Sequence, residues 1–284
     1  MKSPDPVVSF GVIADLQYCD VPPFKNRYYQ KSIEKLRKAI DVFNNRKLHF
    51  IINLGDMIDR DWESFDGILP LFSQFEAPVY HVLGNHDFEV EDEKKSLIHS
   101  KIGTERYYDF SGNGWRFIIL DGNDISTFAN LPRTSGYALA EQVLTRLEQE
   151  QKINANFWNG GIGEGQMTWL RSVLSSAEER HENSIIFCHY PLYPPDRHNL
   201  LNNEQLLTLI KNYRGVKMWV NGHNHDGNYG LFWDVHFLNV KGMVEGENDL
   251  VFSVIQLFED TIKVTGFGGE VSATLNFKKK DKYP

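Results

Sequence analysis

The chain has 284 residues, with 30 basic against 38 acidic side chains and a formal net charge of −8. Hydrophobic residues make up 41% of it, which excludes wholesale disorder, and no apolar run reaches the roughly 18 to 20 residues of a membrane helix. The acidic balance argues against a surface that coats nucleic acid polymers or anionic lipid, and it poses the question of how an anionic ligand would be held. Val8–Ala14 reads as a buried strand, and Tyr29–Asn44, with Ile33, Leu36, Ile40 and Phe43 at helical spacing, as an amphipathic helix. Leu48–Leu54 is a second strand, Trp62–Phe75 a helix broken or kinked at Pro70, and Val79–Leu83 a third strand. This alternation predicts βαβ units and a largely parallel start to the sheet.

Further on, Tyr107–Ser111 and Trp115–Leu120 flank Gly112-Asn113-Gly114 and predict a hairpin. A helix is expected from Ala138 to Lys152 and another over Gln166–Arg180. Ser184–Cys188 and Val216–Val220 read as strands on either side of a Glu204–Tyr213 helix. Strand-like alternation follows in Leu231–Leu238, Val251–Leu257 and Thr261–Thr265, and the basic tail FKKKDKYP reads as frayed. No repeat or linker interrupts the chain, which predicts one domain over residues 1–284. The N-terminal MKSPDPVVSF lacks the apolar core of a signal peptide. Cys19 and Cys188 read as reduced thiols, and the expected setting is cytoplasmic, with a monomer as the expected state.

Five of the predicted strands end in residues able to bind metal. They are Asp15-Leu16-Gln17, Gly55-Asp56-Met57-Ile58-Asp59, Gly84-Asn85-His86-Asp87, Cys188-His189 and Gly222-His223-Asn224-His225. Ligands in open α/β sheets bind beyond the carboxyl ends of the strands. Asp15 and Gln17, like His223 and His225, are two apart, which in extended backbone puts each pair on one face. Carboxylates, amide oxygens and imidazoles suit divalent metals, and seven donors suit two ions that share a bridge rather than one zinc. Cys188 should point away from His189 in an alternating strand and is given no chemistry.

The blocks GVIADLQY, GDMID, GNHD, CH and GHNHD resemble the signature blocks of the calcineurin-like metallophosphoesterase superfamily. The resemblance implies an α/β fold, a two-sheet β-sandwich flanked by helices with a dimetal site at the strand carboxyl ends. It implies Asp15, Gln17 and His225 on one metal, Asn85, His189 and His223 on the other, Asp56 between both, and His86 as the non-ligand histidine that meets the phosphoryl group. The usual D-x-H is D-x-Q here. With RYY at Arg27–Tyr29, NGGIGEGQMTWL, HYPLYP and GHNHDGNY, this is similar to the manganese-dependent ADP-ribose/CDP-alcohol diphosphatases. An amide oxygen is a harder ligand than imidazole and tilts the site from Zn²⁺ toward Mn²⁺ or Mg²⁺, while a zinc or iron site with Gln17 as a neutral replacement is the alternative.

The resemblance implies hydrolysis of a small nucleoside-diphosphate substrate: ADP-ribose to AMP and ribose 5-phosphate, or CDP-choline or CDP-glycerol to CMP and the phosphoalcohol. Two dications against Asp15, Asp56 and a bridging hydroxide leave about +1 at the site, and that hydroxide is expected to attack phosphorus in line. A phosphate leaving group has a second pKa of about 6, so an acid role of His86 should matter less here than for an alkyl phosphodiester. Phe24 and Tyr190 are candidates to stack on a base, with core packing as the alternative, and Arg27 to pair a phosphate. Gly160–Gly163 could present backbone N–H groups to a phosphate or form a plain turn. Asp59 and Asp87 are candidates to orient imidazoles, or to cap and face solvent, and His198 is the remaining histidine best placed to reach a substrate. The alternatives are a cyclic-nucleotide phosphodiesterase or phosphomonoesterase on the same scaffold and, from a different class, a non-catalytic binding module.

Overall fold

Two six-stranded mixed sheets face each other, and helices cover both outer faces. The computed structural model describes residues 5–277, so residues 1–4 and most of the expected frayed tail lie outside the described residues. The first sheet contains β1 (Val8–Ile13), β2 (Phe50–Asn53), β3 (Val79–His81), β10 (Phe252–Leu257), β11 (Thr261–Phe267) and β12 (Ala273–Asn276), in the order β12-β11-β10-β1-β2-β3. The β1–β2–β3 part is parallel, as the βαβ reading expects, and the rest antiparallel. The second sheet has β4 (Tyr108–Gly112), β5 (Trp115–Ile119), β6 (Asn183–Phe187), β7 (Val216–Asn221), β8 (Asn228–Phe232) and β9 (Val235–Asn239), in the order β4-β5-β6-β7-β9-β8.

Alternation along the strands creates three cores. Phe10 and Val12 of β1, Phe50 and Ile52 of β2, Phe117 of β5, Phe187 of β6 and Val220 of β7 fill the space between the sheets. The opposite faces, Ile13 and Ile51, pack on α1 (Ser32–Asn44) and α2 (Ser64–Phe72). Ile118 and Ile186 pack on α6 (Glu164–Glu179) and, with Trp219, on α7 (Asn203–Ile210). The remaining α-helices among the described residues are the short α3 (Asp92–Lys95) and α4 (Ile98–Ile102) and the longer α5 (Ser135–Gln149).

Several boundaries differ from the sequence reading. Pro70 lies inside α2, which ends two residues later at Phe72 rather than at the expected Phe75. α5 begins at Ser135, three residues earlier than expected, because the Thr134 hydroxyl accepts from Tyr137 N (3.3 Å) and caps it. Leu231–Leu238 is not one strand but the β8–β9 hairpin. It turns at Trp233 and Asp234, both at positive φ (49° and 60°), and the tryptophan at the first of these positions is what hides the turn from a sequence reading. β12, α3 and α4 were not foreseen. Phe277, the first residue of the expected frayed tail, is buried with its ring edge-on to Trp115 (5.8 Å between centroids).

Phe10 stacks on Phe50 at 4.8 Å and meets Phe117 and Phe187 edge-on across the sheets. Phe10→Ala should cost about 3 to 5 kcal/mol of stability, read as a lower urea midpoint at unchanged slope.

Candidate metal centre

The five strand ends meet at one edge of the sandwich, and their backbone is bent rather than extended there. Asp15 and Gln17 have φ of 53° and 42°, Asp56 53° and His223 68°. The expectation that i, i+2 spacing in extended chain aligns the pairs is therefore corrected: left-handed kinks turn these side chains toward a common point. The kinks are held by cross-links between neighbouring loops. Asp15 N donates to Gly55 O (3.1 Å) and Gln17 N to Asp56 O (2.8 Å), while His223 N donates to the Asp15 carboxylate (3.2 Å). Gly55, at φ 99°, is packed so tightly that a Cβ would lie 2.6 Å from Gly84 N, and a Cβ on Gly84 would overlap the Asp56 carboxylate.

Within this knot the ligand atoms of Asp56, His189 and His223 lie within 4.8 Å of one another, and so do those of Asp15, Asp56 and His225. Asp56 belongs to both groups. Asn85 Oδ1 sits 3.1 Å from His189 Nε2, and Gln17 Nε2 lies 3.0 Å from Asp56 Oδ2 and 3.3 Å from His225 Nε2. All seven expected donors are thus brought together.

Each imidazole is oriented by its far nitrogen. His189 Nδ1 lies 2.8 Å from Leu54 O, His225 Nδ1 2.8 Å from Glu245 Oε1, and His223 Nε2 3.0 Å from Asn159 Oδ1. Such partners fix ring and tautomer for metal binding. The residues fit a pair of divalent cations: Gln17 Oε1 is buried with no hydrogen-bond partner, and an amide turned over about its last bond would present that oxygen to the space between Asp56 and His225. The donors are all hard or borderline oxygen and nitrogen atoms, without sulfur.

The electrostatics follow from this crowding. Burial opposes a charge on Asp56, but His189 and His86 outweigh it and hold the carboxyl well below its usual range. Burial likewise disfavours charge on His189, yet Asp56 and Asp15 raise it to about 9. His225 is raised to about 9 by Asp15 and Glu245 against the same penalty. His223, buried and beside His189, is pushed well below its usual value.

A cavity of about 200 Å³ opens above the donors. Its floor includes Gln17, Asp56, Asn85, His223 and His225, and its walls are His86, Arg27, Trp158, Arg197 and His198. His86 Nδ1 lies 2.9 Å from the backbone carbonyl of Asp59, while the Asp59 carboxylate stands 3.5 Å from the same nitrogen without a hydrogen bond from Oδ1. Arg27 reaches into the cavity between Glu245 (3.6 Å) and Asp59 (4.0 Å). His198 Nδ1 is 2.6 Å from Asp196 Oδ1, and its ring meets His223 edge-on.

Four candidates do not take the binding or orienting role, and three of them follow the alternative reading: core packing for Tyr190, capping for Asp87 and a turn for Gly160–Gly163. Asp87 orients no imidazole: its carboxylate accepts from the backbone N–H of Asp56, Met57, Ile58 and Gly84, and so ties two loops together. Tyr190 is fully buried beneath His189 and His223 with its hydroxyl donating to Asn123 Oδ1 (2.6 Å), so it cannot stack on a substrate. Phe24 is 62% exposed and lies outside the cavity lining. In Gly160–Gly163 two of the backbone N–H groups are already committed, Ile162 N to Asn202 Oδ1 (3.1 Å) and Gly163 N to Asp124 Oδ2 (2.9 Å).

Sequence reasoning missed Asn159, Glu245, Trp158 and Arg197. Asn159 stands at the head of a motif read for its glycines. Glu245 lies 20 residues beyond His225 with no spacing signal.

The model of the calcineurin-like phosphoesterase family matches residues 8–227. The chain belongs to that family of hydrolases. Two similar relatives bear the name manganese-dependent ADP-ribose/CDP-alcohol diphosphatase. The one from Arabidopsis thaliana is 30% identical over 92% of this chain and 94% of its own. The one from Oryza sativa is 29% identical over 93% and 92%. A solved dimetal phosphatase from Danio rerio superposes with a TM-score of 0.86 at 26% identity, covering 96% of this chain and all of that one.

Gly84→Ala should displace Asp56 and lower hydrolysis about a hundredfold or more. Gly165→Ala, on the exposed first turn of α6 with nothing within 4 Å of the added carbon, should leave the rate unchanged and slightly raise the melting temperature.

Proposed function

We propose that this chain hydrolyses the diphosphate bond of small nucleoside-diphosphate derivatives, ADP-ribose and CDP-alcohols among them, with two manganese ions. The observation that carries this is the pair of overlapping donor groups sharing Asp56, with Gln17 in place of a histidine, beneath a cavity walled by arginines. The names of the relatives from two plants support the substrate class and the metal.

On this reading Asp15, Gln17 and His225 hold one ion, Asn85, His189 and His223 the other, and Asp56 both. When bound, the ions supply Lewis-acid polarisation of phosphoryl oxygens and a lowered pKa for bound water. The chain's own groups do the rest. Arg27 sits where it can pair a phosphate oxygen, its guanidinium aimed by Glu245 and Asp59. His86, with Nδ1 committed to Asp59 O, leaves Nε2 to meet the phosphoryl group or the leaving oxygen. Trp158 supplies an aromatic wall for the organic part of the substrate.

On this reading the chain also works as a single domain and as a monomer. Among the described residues no helix is long and apolar enough to cross a membrane. A cytoplasmic setting is supported by Cys19 and Cys188, which are both buried and unpaired.

Purified protein loaded with Mn²⁺ should convert ADP-ribose to AMP and ribose 5-phosphate, and CDP-choline to CMP and phosphocholine, with activity lost on chelation and restored best by Mn²⁺. Brisk turnover of cyclic nucleotides or phosphomonoesters without turnover of either diphosphate would sink this reading.

Without metal, His189 and His225, each raised to about 9, carry protons at neutral pH. Metal binding must expel them. Apparent Mn²⁺ affinity should therefore rise with pH up to about 9 and flatten above it. Calorimetry in buffers of different ionisation enthalpy should show protons released on binding, and buffer-independent heats would contradict the assignment.

A further inference from the structure

Lys35 lies in α1 and is only 2% exposed, a position that lysine rarely takes without partners. Its ammonium donates to three backbone carbonyls: Met243 (2.8 Å), Glu245 (2.9 Å) and Gly246. Burial pushes this ammonium down to about 8 against the pull of Asp249 and Glu245. All three acceptors belong to one bend after β9, where Gly246 turns the chain at φ 66°.

That bend is stitched to the metal centre on two sides. Met243 N donates to Ala14 O (3.0 Å) and Val244 N to Asp15 O (2.9 Å), at the end of β1. Tyr28 N donates to Val244 O (3.0 Å) and Gly246 N to Asn26 O (2.9 Å), which anchors the loop that carries Arg27. From the middle of the bend the Glu245 carboxylate reaches His225 Nδ1 at 2.8 Å and Arg27 Nε at 3.6 Å.

We propose that Lys35 is a positioning residue for the half of the centre formed by Asp15, Gln17 and His225. Its ammonium, bound by three carbonyls, fixes the bend that presents Glu245, and Glu245 in turn sets the ring of His225 and thereby that half's affinity for Mn²⁺. This rests on the dimetal reading above. An apolar side chain in place of Lys35 leaves three carbonyls short of a donor, at a cost the bend relieves by moving. Glu245 then drifts from His225, and the orientation that metal binding needs is lost. The other half is oriented by Leu54 O and Asn159, neither of which belongs to the bend. The effect is therefore one-sided.

Mn²⁺ titration followed by electron paramagnetic resonance tests this. The wild type should bind two ions with a dinuclear spectrum. Lys35→Met should bind one of them about 10 to 100 times more weakly and leave the other within about twofold. Its half-loaded spectrum should match that of Gln17→Ala. Lys35→Gln, which keeps donors and so protects against misfolding, should shift the same ion in the same direction by less. Glu245→Ala should weaken that ion too, and adding Lys35→Gln to it should cost nothing more. Both ions binding Lys35→Gln as they bind the wild type would overturn the proposal. So would equal weakening of both, which marks a merely structural role, or additive losses in the double variant. A wild type that binds fewer than two ions would instead sink the dimetal reading itself.

Discussion

The close approach of the Gly55-Asp56 and Gly84-Asn85 loops is the constraint on which the rest of this structure depends. Asp56 is buried, and an unpaired buried carboxylate is costly. It is compensated on every side: His86 N donates to Oδ1 (2.8 Å), Gln17 Nε2 to Oδ2 (3.0 Å), and His189 stands 3.4 Å away. Beneath it Asp87 gathers four backbone N–H groups from both loops. Burial first, and then the charge on Asp56, pushes the Asp87 carboxyl above its usual range. Two carboxylates are packed into one small volume, and the arrangement is sustained by backbone dipoles below and imidazoles above. Only glycine at 55 and 84 lets the loops come this close.

The centre is also a joint between the two sheets. Asp15 and Asp56 leave β1 and β2 of the first sheet, and His189 and His223 leave β6 and β7 of the second. His223 N donating to Asp15 and His189 Nδ1 facing Leu54 O cross from one sheet to the other. The aromatic stack of Phe10, Phe50, Phe117 and Phe187 fixes the spacing behind them. The donors therefore meet through the packing of the sandwich and not through any one segment, as expected for a site held on rigid elements.

The net charge of −8 is compatible with an anionic ligand because the site collects charge locally. Arg27 and Arg197 line the cavity, and the donor set beneath is built for cations. Extended polyanions need a broad basic surface, whereas a small diphosphate needs only this one spot. Part of the acidic excess is itself placed there, as Asp15, Asp56, Asp59 and Asp87.

The strand-end blocks and the parallel β1–β2–β3 unit were legible in the sequence because each is local: an apolar run, a glycine, then a donor. The same locality made Gln17 visible as a departure from the usual histidine. What the tertiary structure alone decided is the work of contacts between distant segments. Asp87 sits in the Gly84-Asn85-His86-Asp87 block at a strand end yet serves backbone N–H groups some 30 residues away. Tyr190 follows His189 yet lies under it. Asn159 and Glu245 hold imidazoles from loops with no spacing relation to them, and Leu54 does so through a carbonyl that every residue possesses. Even the pairing of Asp15 with Gln17 comes from left-handed kinks that cross-loop hydrogen bonds impose, not from the i, i+2 geometry of a strand. Residue type and spacing determined which groups could bind. The closing of loops across two packed sheets decided which way each of them faces.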